Sequence, residues 1–365
     1  MTYKIVVESM KFRPMRSALS ILLIGVPVTL ILCLVGVSQG LLEDSARRAR
    51  GIGADILVRP PGSSVLSLSG APLSEKYLDV LRQRPHVSLL TGMITQPISN
   101  SLTYVAGVDY PVFSQMCGGF RFVEGGPFRG PDDIIIDTYY ARQKSVHAGG
   151  KINVLNRDWN VAGIFEAGIL SHIILPFRVV QNLTSNTGKI SQIFVKVDNP
   201  ANVAAVIADF KTFLPEFPIY SMEEFTSMFA VENFAGVREF INVMIGIGLV
   251  IGFSVVCLSM YMAVLQRTRE IGILKSLGAS RWFILRLILA EAVIMAVGGT
   301  VLGILFSIGA KWVIMQLVPA SIPQVIVPQW WPRTAVITLI GALLGALYPG
   351  LSAARKDPIE ALAYE

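Results

Sequence analysis

Three cysteines and three histidines are all that 365 residues supply of the side chains that staple small domains or hold transition metals. Cys33 and Cys257 sit inside apolar runs and Cys117 stands alone, which excludes a disulfide framework. His86, His147 and His172 are far apart, a spacing that suits structural or surface roles better than metal ligation. A phosphate-binding G-x-x-x-x-G-K-[ST] loop is missing: Gly150-Lys151 is followed by Ile152 and Gly188-Lys189 by Ile190, each without the upstream glycine. Any ATP hydrolysis must then belong to a separate chain. Neither a G-x-S-x-G elbow nor an H-E-x-x-H pair is present, so an intramembrane enzyme would have no visible nucleophile, base or metal set. Asn182-Leu-Thr184 fits a glycosylation sequon, a triplet common by chance.

Charge is scarce too, at 15% of residues against 53% hydrophobic, with mean hydropathy +0.58. Those values lie on the membrane side of the usual ranges. The net charge of +6 is unevenly spread. Residues 1–17 hold four basic and one acidic side chain, and residues 267–286 hold five and one, whereas residues 43–239 carry eighteen and nineteen. The excess flanks apolar segments, so it is an orientation signal and not a polyanion-binding patch.

The apolar segments predict four transmembrane α-helices with a large α+β extracytoplasmic domain between helices 1 and 2. Residues 1–17 alternate apolar and basic positions, as a short cytoplasmic amphipathic helix does. Residues 18–50 form the first span and a stalk extension, with Pro27 expected to bend it; the uncharged run is too long for a signal peptide and predicts a retained anchor. The second span ends near residue 266, the third covers 283–313 and the fourth 334–354, with a short extracytoplasmic loop at 314–333 and a cytoplasmic tail at 355–365. Trp330 and Trp331 suit the outer interface, and glycines four apart at 248 and 252, 299 and 303, and 341 and 345 allow close helix packing. The basic flanks place both termini and the 267–282 loop in the cytoplasm.

Residues 51–221 read as the α+β domain. Strands are expected at 54–59, 102–108, 134–137, 159–165, 172–177 and 193–197, and helices at 74–84 and 200–214. Ser221 with Glu224 three residues on is a capping box. With no proline from there to Pro319, the pattern predicts one continuous helix over residues 222–267, a stalk leading into the second span.

The segment Arg267-Thr-Arg-Glu-Ile-Gly-Ile-Leu-Lys-Ser-Leu-Gly-Ala-Ser280 stands between the second and third spans. Ile271, Leu274 and Leu277 recur at spacing three and are expected on one side, with Arg267, Arg269 and Lys275 in water or headgroups. Gly278 can end the helix in the left-handed conformation and Ser280 can cap the next. An ordinary positive-inside loop has the same composition. Glu291, the one acid near a span, is a functional candidate by default, and pairing with Arg286 or a basic residue of this loop is expected ahead of a proton relay.

This segment resembles the R-E-I-G-L-x-K-A-x-G-A loop of the MacB/FtsX-like ABC permease family, the type VII transporters. Tyr348-Pro-Gly-Leu-Ser-Ala-Ala-Arg-Lys-Asp-Pro-Ile-Glu-Ala-Leu362 is similar to that family's closing P-A-x-x-A-A-R-x-x-P-I-E-A-L, and Glu8-Ser-Met-Lys-Phe-Arg-Pro-Met-Arg-Ser-Ala-Leu19 to its basic N-terminal helix. The resemblance implies that residues 267–282 are the coupling helix that docks on the ATPase, through Arg269, Glu270, Ile271, Gly272, Lys275, Leu277, Gly278 and Ala279. It marks Pro349, Ala354, Arg355, Pro358, Glu360, Ala361 and Leu362 as the C-terminal family motif.

It further implies a non-catalytic permease subunit in the bacterial inner membrane. The chain itself would hold no cofactor, with ATP and Mg on the partner ATPase. A second permease copy or paralogue, a periplasmic membrane-fusion adaptor and an outer-membrane duct would complete an exporter working by mechanotransmission. Lipoprotein extraction, as in the LolC and LolE branch, and regulation of a cell-wall hydrolase, as in the FtsX branch, are the alternatives. The size of the extracytoplasmic domain favours export.

Overall fold

The computed structural model describes residues 14–62, 73–98, 103–229, 235–318, 320 and 322–355. Of the amphipathic helix expected over residues 1–17, residues 1–13 lie outside them, as does the tail from residue 356, while residues 14–17 open the first long helix. The described chain divides into a β-rich unit, residues 40–234 with 314–323, and a helical unit made of the rest.

Four helices are long and apolar enough to cross a membrane: α1 (Pro14–Arg50), α8 (Ala235–Gln266), α10 (Arg281–Leu317) and α11 (Trp330–Arg355). In the helical unit α1 and α10 approach until backbones nearly touch. A methyl group on Gly303 would stand 2.5 Å from the Val28 side chain and 2.9 Å from the Gly25 carbonyl. Between α8 and α11 the same closeness falls at Gly345, where a Cβ would meet the Phe253 carbonyl at 2.7 Å. Two of the three glycine pairs thus pack as their spacing suggests. Gly252 of the remaining pair faces open space.

The β-rich unit is built on a mixed sheet in the order β12-β1-β11-β3-β4-β9-β6-β8-β5. Its strands are β1 (Ile56–Val58), β3 (Val87–Pro97), β4 (Tyr104–Val108), β5 (Phe122–Gly125), β6 (Asp133–Asp137), β8 (Arg157–Phe165), β9 (Ile173–Pro176), β11 (Gln192–Val197) and β12 (Ile219–Ser221), with β7 (Lys151–Val154) beside β8. A separate two-stranded sheet pairs β2 (Leu73–Ser74) with β10 (Lys189–Ile190). β4 runs parallel to β9 and β6 to β8; the other pairings are antiparallel.

Alternation divides the strands between two cores. Ile56, Val58, Val105, Ile134, Ile136, Ile173 and Leu175 point to one, while Leu57, Ala106, Ile135, Ile174 and Phe194 point to the other. Helices α2 (Lys76–Arg82), α3 (Tyr110–Met116), α4 (Thr138–Lys144), α5 (Phe177–Leu183) and α6 (Val203–Phe213) complete the layers. Buried on both faces, β3 has no polar alternation to betray it, and it was not expected as a strand.

The single helix expected over residues 222–267 does not form. Helix α7 (Met222–Ser227) starts as foreseen, with Ser221 Oγ accepting from the Glu224 amide at 3.0 Å, but it stops at Met228. Thr226 and Ser227 turn their hydroxyls back onto the Glu223 and Glu224 carbonyls, at 3.1 and 2.7 Å, a local bonding that competes with helix continuation. Residues 230–234 lie outside the described chain, and α8 follows.

Candidate functional site

Helix α9 (Thr268–Ser276) forms an elbow between α8 and α10. Its start is set by Thr268, whose hydroxyl donates to the Val264 and Leu265 carbonyls at 3.1 and 2.9 Å and so closes the end of α8. Its end is a complete Schellman turn. The Gly278 amide donates to the Lys275 carbonyl at 3.0 Å and the Ala279 amide to the Leu274 carbonyl at 2.9 Å, with Gly278 at φ +94°. A side chain at 278 would have room but the wrong backbone conformation. Ser280 then caps α10, its Oγ accepting from the Phe283 amide at 3.2 Å.

Ile271 is buried in the core of the helical unit with Val256, Met260, Val264, Ile284 and Ile288, and Leu274 and Ala279 pack against that core. Gly272 is buried beside it. Leu277 is a correction to the expected face: it is 80% exposed, because the helix ends at Ser276 and the chain turns away before residue 277 completes the row. It joins Ile273 and Trp282, at 45% and 71%, and the exposed Arg269 and Glu270 in an outward face of mixed apolar and charged character.

Two polar contacts tie the elbow down. Arg267 Nη1 donates to Glu291 Oε2 at 3.3 Å, the pairing expected of Glu291; Arg286 remains exposed. Lys275 Nζ donates to the Ala354 carbonyl at 3.0 Å, in the last turn of α11. The middle and C-terminal motifs, 79 residues apart in sequence, are therefore in contact. Pro349 and Ala354 are buried and Arg355 is exposed; Pro358, Glu360, Ala361 and Leu362 lie outside the described residues. A cleft of about 100 Å³ remains beside the ion pair, bordered by Met260, Val264, Arg267, Glu270, Ile271 and Glu291.

A second polar centre, unforeseen from the sequence, lies in the β-rich unit. Arg48, near the end of α1, donates through Nε to Asp44 at 2.5 Å and through Nη2 to Asp137 at 3.3 Å and to the His172 ring at 2.9 Å. His172 Nδ1 also lies 2.8 Å from Asp137, and Arg47 pairs with Asp44. His172 is thus bound into this centre by Arg48 and Asp137. Nearby, Tyr104 donates its hydroxyl to the Leu170 carbonyl at 2.7 Å, and burial pushes its phenol up from the ordinary value. The one sequence signal for this centre was a charged helix end followed by a late stop at Gly51. Among the described residues no cluster of three or more His, Cys, Asp or Glu is arranged to hold a metal.

Residues 17–213 match the family model of the MacB-like periplasmic core domain, and residues 242–358 that of the FtsX-like permease C-terminal region. The chain is 24% identical over 401 residues to the macrolide export ATP-binding/permease protein MacB of Bdellovibrio bacteriovorus, covering 98% of this chain and 61% of that protein. It is 30% identical over 206 residues to the uncharacterized ABC transporter permease YknZ of Bacillus subtilis, covering 54% of this chain and 50% of that one. Among solved structures, the periplasmic region of MacB from Actinobacillus actinomycetemcomitans is similar at 18% identity and TM-score 0.38, over 51% of this chain and 97% of that one. The chain spans about 60% of the length of the MacB relatives it matches. With one family model covering more than half of its residues and a second covering the helices that follow, this chain, a multi-pass membrane protein, belongs to the MacB/FtsX-like family of ABC transporter permeases.

Proposed function

We propose that the chain is the transmembrane subunit of an ABC exporter that works by mechanotransmission. A separate ATPase, holding ATP and Mg, binds the outward face of α9. Its movement passes along α1 and α8 to the β-rich domain, which acts on cargo on the far side of the membrane. The observation that carries this reading is the elbow itself: a nine-residue helix, buried at Ile271 and stopped by Gly278, that offers Arg269, Glu270, Ile273 and Leu277 outward.

The basic flanks of α1 and α9 support cytoplasmic termini and a periplasmic β-rich domain. A second permease copy or paralogue would cover α8, whose most apolar stretch is 11% buried against 44% for α1 and α10. The match to relatives named for macrolide export supports transport as the task; a periplasmic adaptor and outer-membrane duct would be further partners.

The experiment is a mild-detergent pull-down of the tagged chain under ATP-trapping conditions, read by mass spectrometry. A Walker-motif ATPase with a periplasmic adaptor is the expected recovery. A cell-wall hydrolase or a lipoprotein in place of the adaptor would redirect the reading to regulation or lipoprotein extraction, and absence of any ATPase from a well-folded sample would overturn it. In the recovered complex, Glu270→Ala and Gly278→Val are each expected to uncouple ATP turnover from function.

A further inference from the structure

A helix of nine residues is too short to hold itself in water, so α9 takes its direction from tertiary contacts. Ile271 and Leu274 decide which side faces the bundle, but an apolar seam tolerates sliding and rolling. The two polar contacts do not. They sit eight residues apart, about 12 Å along a helix axis: Arg267 to Glu291 of α10 at the start, Lys275 to the Ala354 carbonyl of α11 at the end.

Glu291 is 5% exposed on an apolar helix, where a carboxylate is expensive. Among the described residues Arg267 is its ion-pair partner, itself mostly buried. Arg267 is also the residue at which the chain leaves α8, with φ −116° and ψ 17°, outside the helical values on either side. The pair therefore holds the bend itself.

We propose that Arg267–Glu291 and Lys275–Ala354 form a two-point clamp that sets the direction of α9, making Glu291 and Arg267 positioning residues for the ATPase-docking face. This rests on the reading of α9 as the docking element. Neither residue reaches the outward face; both act through the orientation of the helix that carries Glu270 and Leu277.

The test uses the full chain: distances are read with its three cysteines replaced by serine and spin labels attached through Leu277→Cys, exposed just after α9, and Tyr348→Cys, exposed on α11, and ATP turnover is read on unlabelled chains that keep both native residues. In E291Q and R267Q the distance distribution broadens, and ATP turnover of the captured complex falls about tenfold, within the roughly 5–150-fold span of coupling between sites. R267K keeps both near wild type, and the swap R267E/E291R restores most of each. A purely structural contribution would lower the yield of folded chain without narrowing the distribution again in the swap. Wild-type distances and turnover in E291Q overturn the clamp. If E291Q fails to fold, the swap decides: recovery supports the clamp and continued failure overturns it. If the wild-type chain captures no ATPase, the docking reading falls while the distance measurement still judges the clamp.

Discussion

In the β-rich unit Ile56, Val105, Ile134 and Phe194 are all but sealed from solvent, whereas in the helical unit Leu258, Val250 and Val243 of α8 are more than half exposed. Both units are apolar in sequence; they differ in what surrounds them. The domain hides its apolar side chains from water in two layers, and the bundle leaves those of α8 on its outside while closing its inside with glycine. Interior polar groups follow suit. The domain holds a charged centre of Arg48, Asp44, Asp137 and His172, in which the end of α1 meets side chains carried by or beside β6 and β9. Among the described residues of the bundle one ion pair is found, Arg267 with Glu291, at a bend.

Breaking that contrast on the domain side has the largest expected effect. Arg48→Met would leave Asp44 and Asp137 buried without their shared cation, at a cost of about 3–5 kcal/mol; thermal unfolding of the full chain in detergent should show it, and an unchanged midpoint would mean the centre is dispensable. On the bundle side, Gly303→Leu forces a side chain into Val28 and the Gly25 carbonyl, and overpacking of this kind costs about 1–3 kcal/mol. The same substitution at Gly252, which faces open space, should be nearly neutral. Equal losses at both positions would dissolve the distinction between packed and unpacked glycines.

The smallest effect is at the domain surface. The Ala148 amide and then the His147 side chain bond the Glu124 carboxylate and hold its pKa below the ordinary value. A depressed carboxylate pKa contributes stability above the ordinary carboxylate range, and that contribution is lost as pH falls through the folded value, below about pH 4.5. Midpoints of wild type and Glu124→Gln should therefore differ slightly at neutral pH and converge in acid, and a pH-independent difference would remove the titration argument.

Runs of uncharged residues longer than a bilayer needs made the four spans legible, and the glycine at 278 with the serine at 280 made the elbow legible. Partnerships over distance were not. Nothing local in Asp44-Ser-Ala-Arg-Arg48 announces Asp137 and His172, which the sheet brings in from 89 and 124 residues away. The end of α7 escaped because no glycine or proline marks the break at Met228. Leu277 escaped because periodicity assumes the helix continues to it.

The pairing of β1 with β12 reaches further than the sheet. Ile56 lies opposite Ser221, so the chain enters and leaves the domain on neighbouring strands, with more than 160 residues folded between two points about 5 Å apart. Chain ends that meet in this way mark units tolerated as insertions. Within the unit, the stretch between these two strands can be enlarged or recut without moving either strand, whereas residues 314–323, which belong to the same unit and donate the Ala320 amide to Gln143, reach it by a separate passage of the chain.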